Sequence, residues 1–361
     1  MADSPAFSLR LASMHLRFGG PAAAAVAAEL EALGIVRAVV LGTPGHAEEA
    51  RAFGAEIGAR VVGTVALARR HTPVEVTQAA LAEVLALRAD GLVSFGGGSV
   101  TGLGKAIALR TDLPQIAVPT TYAGSEVTAI LGQTEAGRKS TLTDPRVQPE
   151  VIVYDPRLIT GLPVGVTVTS GMNALAHAVE ALYAQSRNPL TSSLALQGID
   201  AMVKSLPILV AEPGDLTARS QSQYGAFLCG LVLGQVGMSL HHKLCHTLGG
   251  SFDLPHAETH SVILPHAVAY NEIAVPELLA PVAAALGRPS AGRGLYEFAR
   301  GLGAPVSLRS LGMKEEDLSR AAEIALQNAY WNPRLVEKAA LSALLQAAWA
   351  GDAPPLGGPN G

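Results

Sequence analysis

A chain of 361 residues, 49% hydrophobic and 16% charged, is long enough to bury two ordinary cores without disulfides and too apolar to remain disordered. Its formal net charge of -4 comes from acids and bases scattered along the chain, which leaves no basic stripe for nucleic acid and no polybasic anchor for a membrane. Cys229 and Cys245 match no zinc or disulfide spacing, and the N-terminus lacks the basic and apolar regions of a secretion signal, so the expected location is cytoplasmic.

Residues 21–33, PAAAAVAAELEAL, read as an Ala-rich helix opened by Pro21 and stopped by Gly34. The apolar run IVRAVVLG follows as a buried strand that ends in Gly42 and Thr43. A second Ala-rich helix over 47–58 leads into ARVVGTV, and TQAALAEVLALRAD leads into GLVSFGGG. Helices alternating with short apolar strands predict a parallel α/β sheet. The strand beginning at Gly91 runs straight into Gly96, Gly97, Gly98 and Ser99, and VTGLGKAIALR continues as a helix. Glycines let backbone N–H groups approach a pyrophosphate, and a helix N-terminus supplies unpaired donors and the positive end of its dipole. A purely structural strand-to-helix turn fits a lone glycine cluster as well. The glycines also come at least two strands into the chain, whereas in the common dinucleotide-binding fingerprint they follow the first. The next such turn, in QIAVPTTYAGSEVT, places Thr120, Thr121, Tyr122, Ser125 and Thr128 after a strand, where ligands of α/β sheets bind.

After Asp155 the pattern changes. The runs Thr169–Ala184, Ser192–Leu209, Thr217–Leu240 and Val275–Leu286 all suit helices, so the second half is expected to be all-helical. The boundary falls near Leu162 and Pro163, giving an α/β cofactor-binding domain over 1–162 and an all-helical substrate and catalytic domain over 163–361. The charge-poor stretch Gly225–Leu240 is too short and Gly-rich for a membrane span and reads as a buried helix. Directly after it, His241, His242, His246 and His256 crowd into sixteen residues. His242 and His246 are four apart and share one helical face, and Asn173 and His177 repeat that spacing in GMNALAHAVEALYA. Two such faces can converge on one site. Separately hydrogen-bonded core histidines explain any single one of these residues, and explain the cluster less well.

The strand–GGGS–helix segment at 91–110, PTTYAGSE at 119–126, the N-x-x-x-H helix at 173–177 and the H-x-x-x-H followed by Pro-His at 242–256 resemble, in type and order, the iron-type (group III) alcohol dehydrogenases over nearly the whole chain. Within that superfamily, ARRHTPVEVT (68–77), RKSTLTDPRVQPEVIVYDP (138–156), GMNALAHAVEALYA (171–184), HHKLCHTLGGSFDLPHAETH (241–260) and NAYWNPR (328–334) are most similar to the maleylacetate reductase family. The resemblance implies a dehydroquinate synthase-like fold, with an α/β dinucleotide-binding domain followed by an all-α domain. It also implies NAD(P)H-dependent reduction of the C=C bond of maleylacetate to 3-oxoadipate in the breakdown of aromatic compounds. Metal-dependent members bind their ion with an aspartate and three histidines. Those positions hold Asn173, His177, His242 and His256 here, so a neutral amide replaces the charged ligand and no metal is expected.

The expected cofactor contacts are Gly42, Thr43, Gly96, Gly97, Gly98, Ser99, Thr120, Thr121, Ser125, Thr128 and Lys139. No carboxylate stands at Gly42-Thr43-Pro44 to repel a 2′-phosphate, so NADH and NADPH are both expected to serve. Hydride addition to a conjugated enone places charge on the ketone oxygen. His246 or His242 is expected to stabilise that charge or deliver the proton, with His177, His256 and Asn173 completing the catalytic group. The substrate's two carboxylates call for cations, and Lys243, Arg334 and Arg138 are candidates, with Tyr122 as a further substrate contact. A metal-dependent alcohol or polyol dehydrogenase of the same fold, a lyase holding its NAD tightly and a non-catalytic nucleotide-binding protein are the competing readings. The expected assembly is a homodimer with no nucleic-acid or membrane partner.

Overall fold

The computed structural model describes Phe7 and residues 13–327 and 330–356, and the chain forms two compact units, one ending at Leu162 and the other beginning at Pro163. The N-terminal unit runs β1 (His15–Phe18), α1 (Ala22–Ala32), β2 (Ala38–Leu41), α2 (Ala47–Ile57), β3 (Val61–Val65), α3 (Val74–Ala86), β4 (Gly91–Gly96), α4 (Gly98–Thr111), β5 (Gln115–Pro119), β6 (Ile130–Glu135), β7 (Arg138–Thr143) and β8 (Val151–Tyr154). Six strands form one parallel sheet in the order β1-β8-β5-β4-β2-β3. β2 and β8 are buried throughout and read AVVL and VIVY, because a parallel sheet covered on both faces leaves no place for polar side chains. Val40, Val93 and Val118 pack with Val26, Leu30 and Phe53 of α1 and α2 on one face. Val39, Leu41 and Leu92 pack with Val84, Leu103 and Ile107 of α3 and α4 on the other.

The chain moves outward from β2 to β3 and then returns to place β4 on the opposite side of β2. In open α/β sheets, ligands bind beyond the C-terminal strand ends where the order reverses in this way. The loops in question are Gly42–Thr43 after β2 and Gly96–Gly98 before α4.

β6 and β7 form a separate antiparallel hairpin, registered from Ile130 opposite Thr143 to Glu135 opposite Arg138. Ala136 and Gly137 turn it with φ of 48° and 75°, the twist a two-residue hairpin loop requires. The helix–strand alternation of the sequence gives no sign of this insertion, because an alanine occupies a position where such turns usually carry Asn, Asp or Gly.

The C-terminal unit is all-helical: α5 (Val164–Leu182), α6 (Pro189–Ala211), α7 (Leu216–Leu233), α8 (Leu240–Phe252), α9 (His256–Glu272), α10 (Pro276–Ala285), α11 (Ala291–Gly301), α12 (Leu318–Leu326) and α13 (Lys338–Ala350). α5 is buried from Thr167 to Leu182 and packs against α6, α7 and α9, which makes it the central helix. α6 is the one described helix long and apolar enough to cross a membrane, and it packs along α5 and α7. Leu244, Leu248, Val262 and Ile263 of α8 and α9 share a core with Ala321, Leu341 and Leu345. The single helix expected over Thr217–Leu240, including the buried stretch Gly225–Leu240, is corrected. α7 stops at Leu233, where Gly234 closes it onto Gly230 O, and α8 starts afresh at Leu240. Two glycines, Gly234 and Gly237, make continuing the helix costly there.

Candidate active site

In the N-terminal unit, β4 delivers the chain to a turn that tolerates no side chain. Gly96 has φ 154°, and a Cβ there would meet Val100 Cγ2 at 2.5 Å; a Cβ on Gly97 would lie 2.9 Å from both Cγ2 and Oγ1 of Thr121. Glycine at both positions lets the β4–α4 turn close onto the turn after β5, and Thr120 N donates to Gly96 O at 3.1 Å across the join. α4 begins with no side-chain cap and no acid in its first turn. The N–H groups of Gly98 and Ser99 and the positive end of the helix dipole therefore remain for an anion. Ser125 Oγ, 3.9 Å from where a Gly98 Cβ would sit, is buried without a hydrogen-bond partner. At the end of β2, Gly42 is buried and Thr43 Oγ1 pairs with His46 Nδ1 at 3.1 Å.

Thr128 and Tyr122 have different surroundings. Thr128 Oγ1 donates to Ser125 O and accepts from Lys105, and Tyr122 is fully buried. Lys105, on the inner face of α4, sends Nζ to Ser125 O (2.5 Å), Thr128 O (2.6 Å), Ile130 O (2.9 Å) and Thr128 Oγ1 (3.1 Å). Burial lowers its pKa to about 7 against the opposing pull of Glu126. Burial raises the Glu126 carboxyl, whose Oε1 accepts the Tyr154 hydroxyl at 2.6 Å. The sequence reading passed over Lys105 and Glu126, although a lysine within the apolar run LGKAIAL was a visible signal. Arg138 is exposed on β7, and the side chain of Lys139 lies outside the described residues.

In the C-terminal unit, Asn173, His177 and Glu180 follow one another along one face of α5. α8 contributes His241, His242, Cys245 and His246, and α9 contributes His256 and His260. His177 and His242 stack at 5.2 Å. His260 stands edge-on to His256, His241, His242 and His177 at 4.4, 4.7, 5.1 and 6.2 Å, and His246 edge-on to His242 at 6.1 Å. The predicted His177, His242, His246 and His256 thus belong to one group of rings, with Asn173 one turn before His177. His241 and His260 complete the group. His260 escaped the sequence reading because it lies beyond the dense HHKLCH run, yet its i, i+4 spacing from His256 was there to be read.

The ring nitrogens divide into paired and unpaired. Glu180, fully buried, accepts the backbone N–H of His241 (3.0 Å) and of His242 (3.4 Å), and its carboxylate pairs with His242 Nδ1. His241 Nε2 and His260 Nδ1 are hydrogen-bonded at 2.9 Å. His177 Nδ1, His242 Nε2, His260 Nε2 and Asn173 Oδ1 are buried with no partner. Unpaired polar atoms gathered in this way call for a polar group that is not protein. Burial, followed by the neighbouring imidazoles, holds His177, His241 and His260 well below the ordinary histidine value, so all three are neutral at pH 7. His246 and His256 are the exposed members.

Lys243 Nζ donates to Gln327 O (2.8 Å) and lies over the Tyr330 ring, and Arg334 donates to Tyr270 O (3.0 Å) and stacks on the Tyr270 ring at 4.1 Å. Asn332 braces the segment carrying Arg334 by exchanging hydrogen bonds with Asn271. Neither cation pairs with a carboxylate among the described residues.

An iron site of one carboxylate and three imidazoles does not fit this donor set. Asn173 offers a neutral amide oxygen where such a site has its carboxylate. Among the described residues, the one group of three or more histidine, cysteine or carboxylate ligand atoms lying within 4.8 Å of one another belongs to His241, Cys245 and His260. Two of these are already bonded to each other, and the set lacks the charged oxygen a hard cation prefers.

The model for iron-containing alcohol dehydrogenase matches residues 14–156, and that for the Fe-containing alcohol dehydrogenase family, C-terminal, matches 167–349. The chain therefore belongs to the iron-containing alcohol dehydrogenase family of oxidoreductases. Within it the resemblance is to maleylacetate reductases. The chain is 57% identical to that of Rhizobium sp. (strain MTP-10005) over 348 residues, 96% of this chain and 99% of that protein. It is 50% identical to that of Burkholderia cepacia over 337 residues, 93% of this chain and 96% of that protein. The crystal structure of maleylacetate reductase from Agrobacterium tumefaciens matches with a TM-score of 0.94 at 54% identity, covering 97% of this chain and 100% of that one.

Proposed function

We propose that this chain reduces the conjugated C=C bond of maleylacetate to 3-oxoadipate, using NADH or NADPH and no metal ion. The observation that carries the reading is the group of imidazoles with unpaired buried nitrogens beside Asn173, in a chain 57% identical to a maleylacetate reductase.

The N-terminal unit fits a dinucleotide. The free N–H groups at the start of α4, the cradle that a Cβ on Gly97 would fill and the unpaired Ser125 hydroxyl would hold its pyrophosphate, with Thr120 and Thr121 alongside. When bound, the nicotinamide supplies the hydride. The turn after β2 presents Gly42 and Thr43 and no carboxylate, which supports acceptance of both cofactors.

Addition at the carbon β to the ketone leaves negative charge on the ketone oxygen, and a proton must then reach the neighbouring carbon. His177 and His260 are buried and neutral, so each can direct an N–H at the developing charge without the cost of a buried cation. His246 is exposed and next to His242, so it can take a proton from water and return it to the site. Lys243 and Arg334, each bonded to a backbone carbonyl and to no carboxylate among the described residues, would meet the two substrate carboxylates. A conjugated enone delocalises the incoming charge, so hydrogen bonds can replace the Lewis acid that a simple ketone needs, and the amide of Asn173 agrees with that economy. The proposed assembly is a homodimer. Purified protein supplied with NADH and maleylacetate should yield 3-oxoadipate, identified by mass spectrometry; failure to form it contradicts the reading.

A further inference from the structure

We infer that Glu180 is a positioning residue of this site: its carboxylate holds His242 in the Nδ1–H form, so that Nε2 is the atom His242 presents to the reacting substrate. The catalytic consequence rests on the proposed reduction, whereas the form of the ring rests on geometry alone. Both oxygens of Glu180 accept backbone N–H groups, so the carboxylate acts as an acceptor here and the imidazole nitrogen paired with it carries the proton. His242 is the one ion-pair partner of Glu180 among the described residues, so no lysine or arginine competes for the charge.

The same carboxylate also caps α8. Ser239 makes no side-chain cap at that helix, and the oxygens of Glu180 instead accept the N–H groups of His241 and His242, where the helix dipole favours an anion. Glu180 is thus held by two backbone bonds that do not depend on the imidazole, and a carboxylate fixed in this way fixes the ring it touches. His242 Nε2 is left buried and unpaired, stacked on His177 at 5.2 Å and edge-on to His260 at 5.1 Å. A neutral ring offers a lone pair at that atom. A carboxylate behind an imidazole whose far nitrogen is open selects the tautomer and orientation of that ring.

The test uses full-length protein labelled with 15N-histidine, in which the ring nitrogen shifts distinguish protonated from bare nitrogens and His242→Asn assigns the signal. In the wild type, His242 is expected to be protonated at Nδ1. In Glu180→Gln, whose amide can donate as well as accept, the Nε2–H form should appear, and kcat should fall by about 100-fold while the KM for NADH stays within about threefold. Glu180→Asp keeps an acceptor-only carboxylate; it should retain the Nδ1–H form, recover part of the rate and decide the matter if Glu180→Gln does not fold. A bare Nδ1 in the wild type overturns the inference. So does a Glu180→Gln enzyme with undiminished kcat, or one that loses rate with the His242 signal unchanged, which would leave Glu180 only a helix cap. If the wild type reduces no maleylacetate while Glu180→Gln still switches the tautomer, the substrate reading fails and the positioning role stands.

Discussion

Replacing Lys105 by methionine keeps most of the buried volume and removes the ammonium, which isolates what that charge does. Its Nζ reaches three carbonyls and one hydroxyl within 3.1 Å and so ties α4 to the segment from Ser125 to Ile130. Hydrogen bonds from a charged donor contribute about 1.5–3 kcal/mol each, and a buried acceptor left without its donor costs about 1–3 kcal/mol. Relief from burying the ammonium offsets part of this and leaves a net loss of about 3 kcal/mol at pH 7. At about 2–4 °C per kcal/mol for a unit of this size, the melting temperature should fall by about 6–12 °C. The loss should also grow with pH. Burial depresses Lys105 from 10.5 to about 7, so above pH 7 the unfolded chain keeps a proton that the folded chain has released. The Lys105 contribution to stability then rises with pH, by up to about 1.4 kcal/mol per unit, and the methionine variant lacks that contribution. Thermal unfolding of both proteins followed by circular dichroism at pH 7 and pH 9 measures this directly, and the gap should widen by about 2 kcal/mol. A gap below about 1 kcal/mol at pH 7, or one that narrows at pH 9, refutes the reasoning.

Asn173→Asp restores a charged ligand beside His177. It should gain zinc or iron affinity by calorimetry without faster maleylacetate reduction, and a faster metal-loaded variant would count against the metal-free reading. His246→Ala should lose far more kcat than KM, because its assigned work is proton transfer in the transition state. Arg334→Ala should do the reverse, and an unchanged KM for maleylacetate would remove Arg334 from the substrate contacts. His177, His241, His260 and His266 are all held by burial below the usual histidine value, His266 at about 4. Below pH 6.5 the unfolded chain therefore binds protons that the folded chain refuses. Stability should fall as pH drops from 7.5 to 5.5, and melting curves that do not move over that range would contradict it.

The alternation of strands and helices up to Leu162 is legible in the sequence, because strands such as AVVL and VIVY are buried on both faces and carry no polar positions that confuse their reading. The Gly96–Gly98 turn is legible for a related reason: only glycine fits where the two turns touch. The break between α7 and α8 is not, because the run from Gly225 to Leu240 stays apolar through it and hydrophobic periodicity does not register two glycines. The histidine group is visible as an i, i+4 pattern on α5 and α8, but its supporting partners are not. Glu180 stands 61 residues before the backbone N–H of His241 that it accepts, and nothing local distinguishes it from a surface acid. Lys105 hides for the same reason, since its bonds cross 20 to 25 residues to a segment of irregular backbone. Cooperation between distant polar groups leaves no periodic trace.

Purified protein, exhaustively treated with a strong chelator and analysed for iron and zinc, should consume NADH with maleylacetate at an undiminished rate and turn over simple aldehydes poorly or not at all. Activity that disappears on chelation and returns with added iron or zinc, or aldehyde reduction as fast as maleylacetate reduction, would contradict metal-free enone reduction at the histidine group.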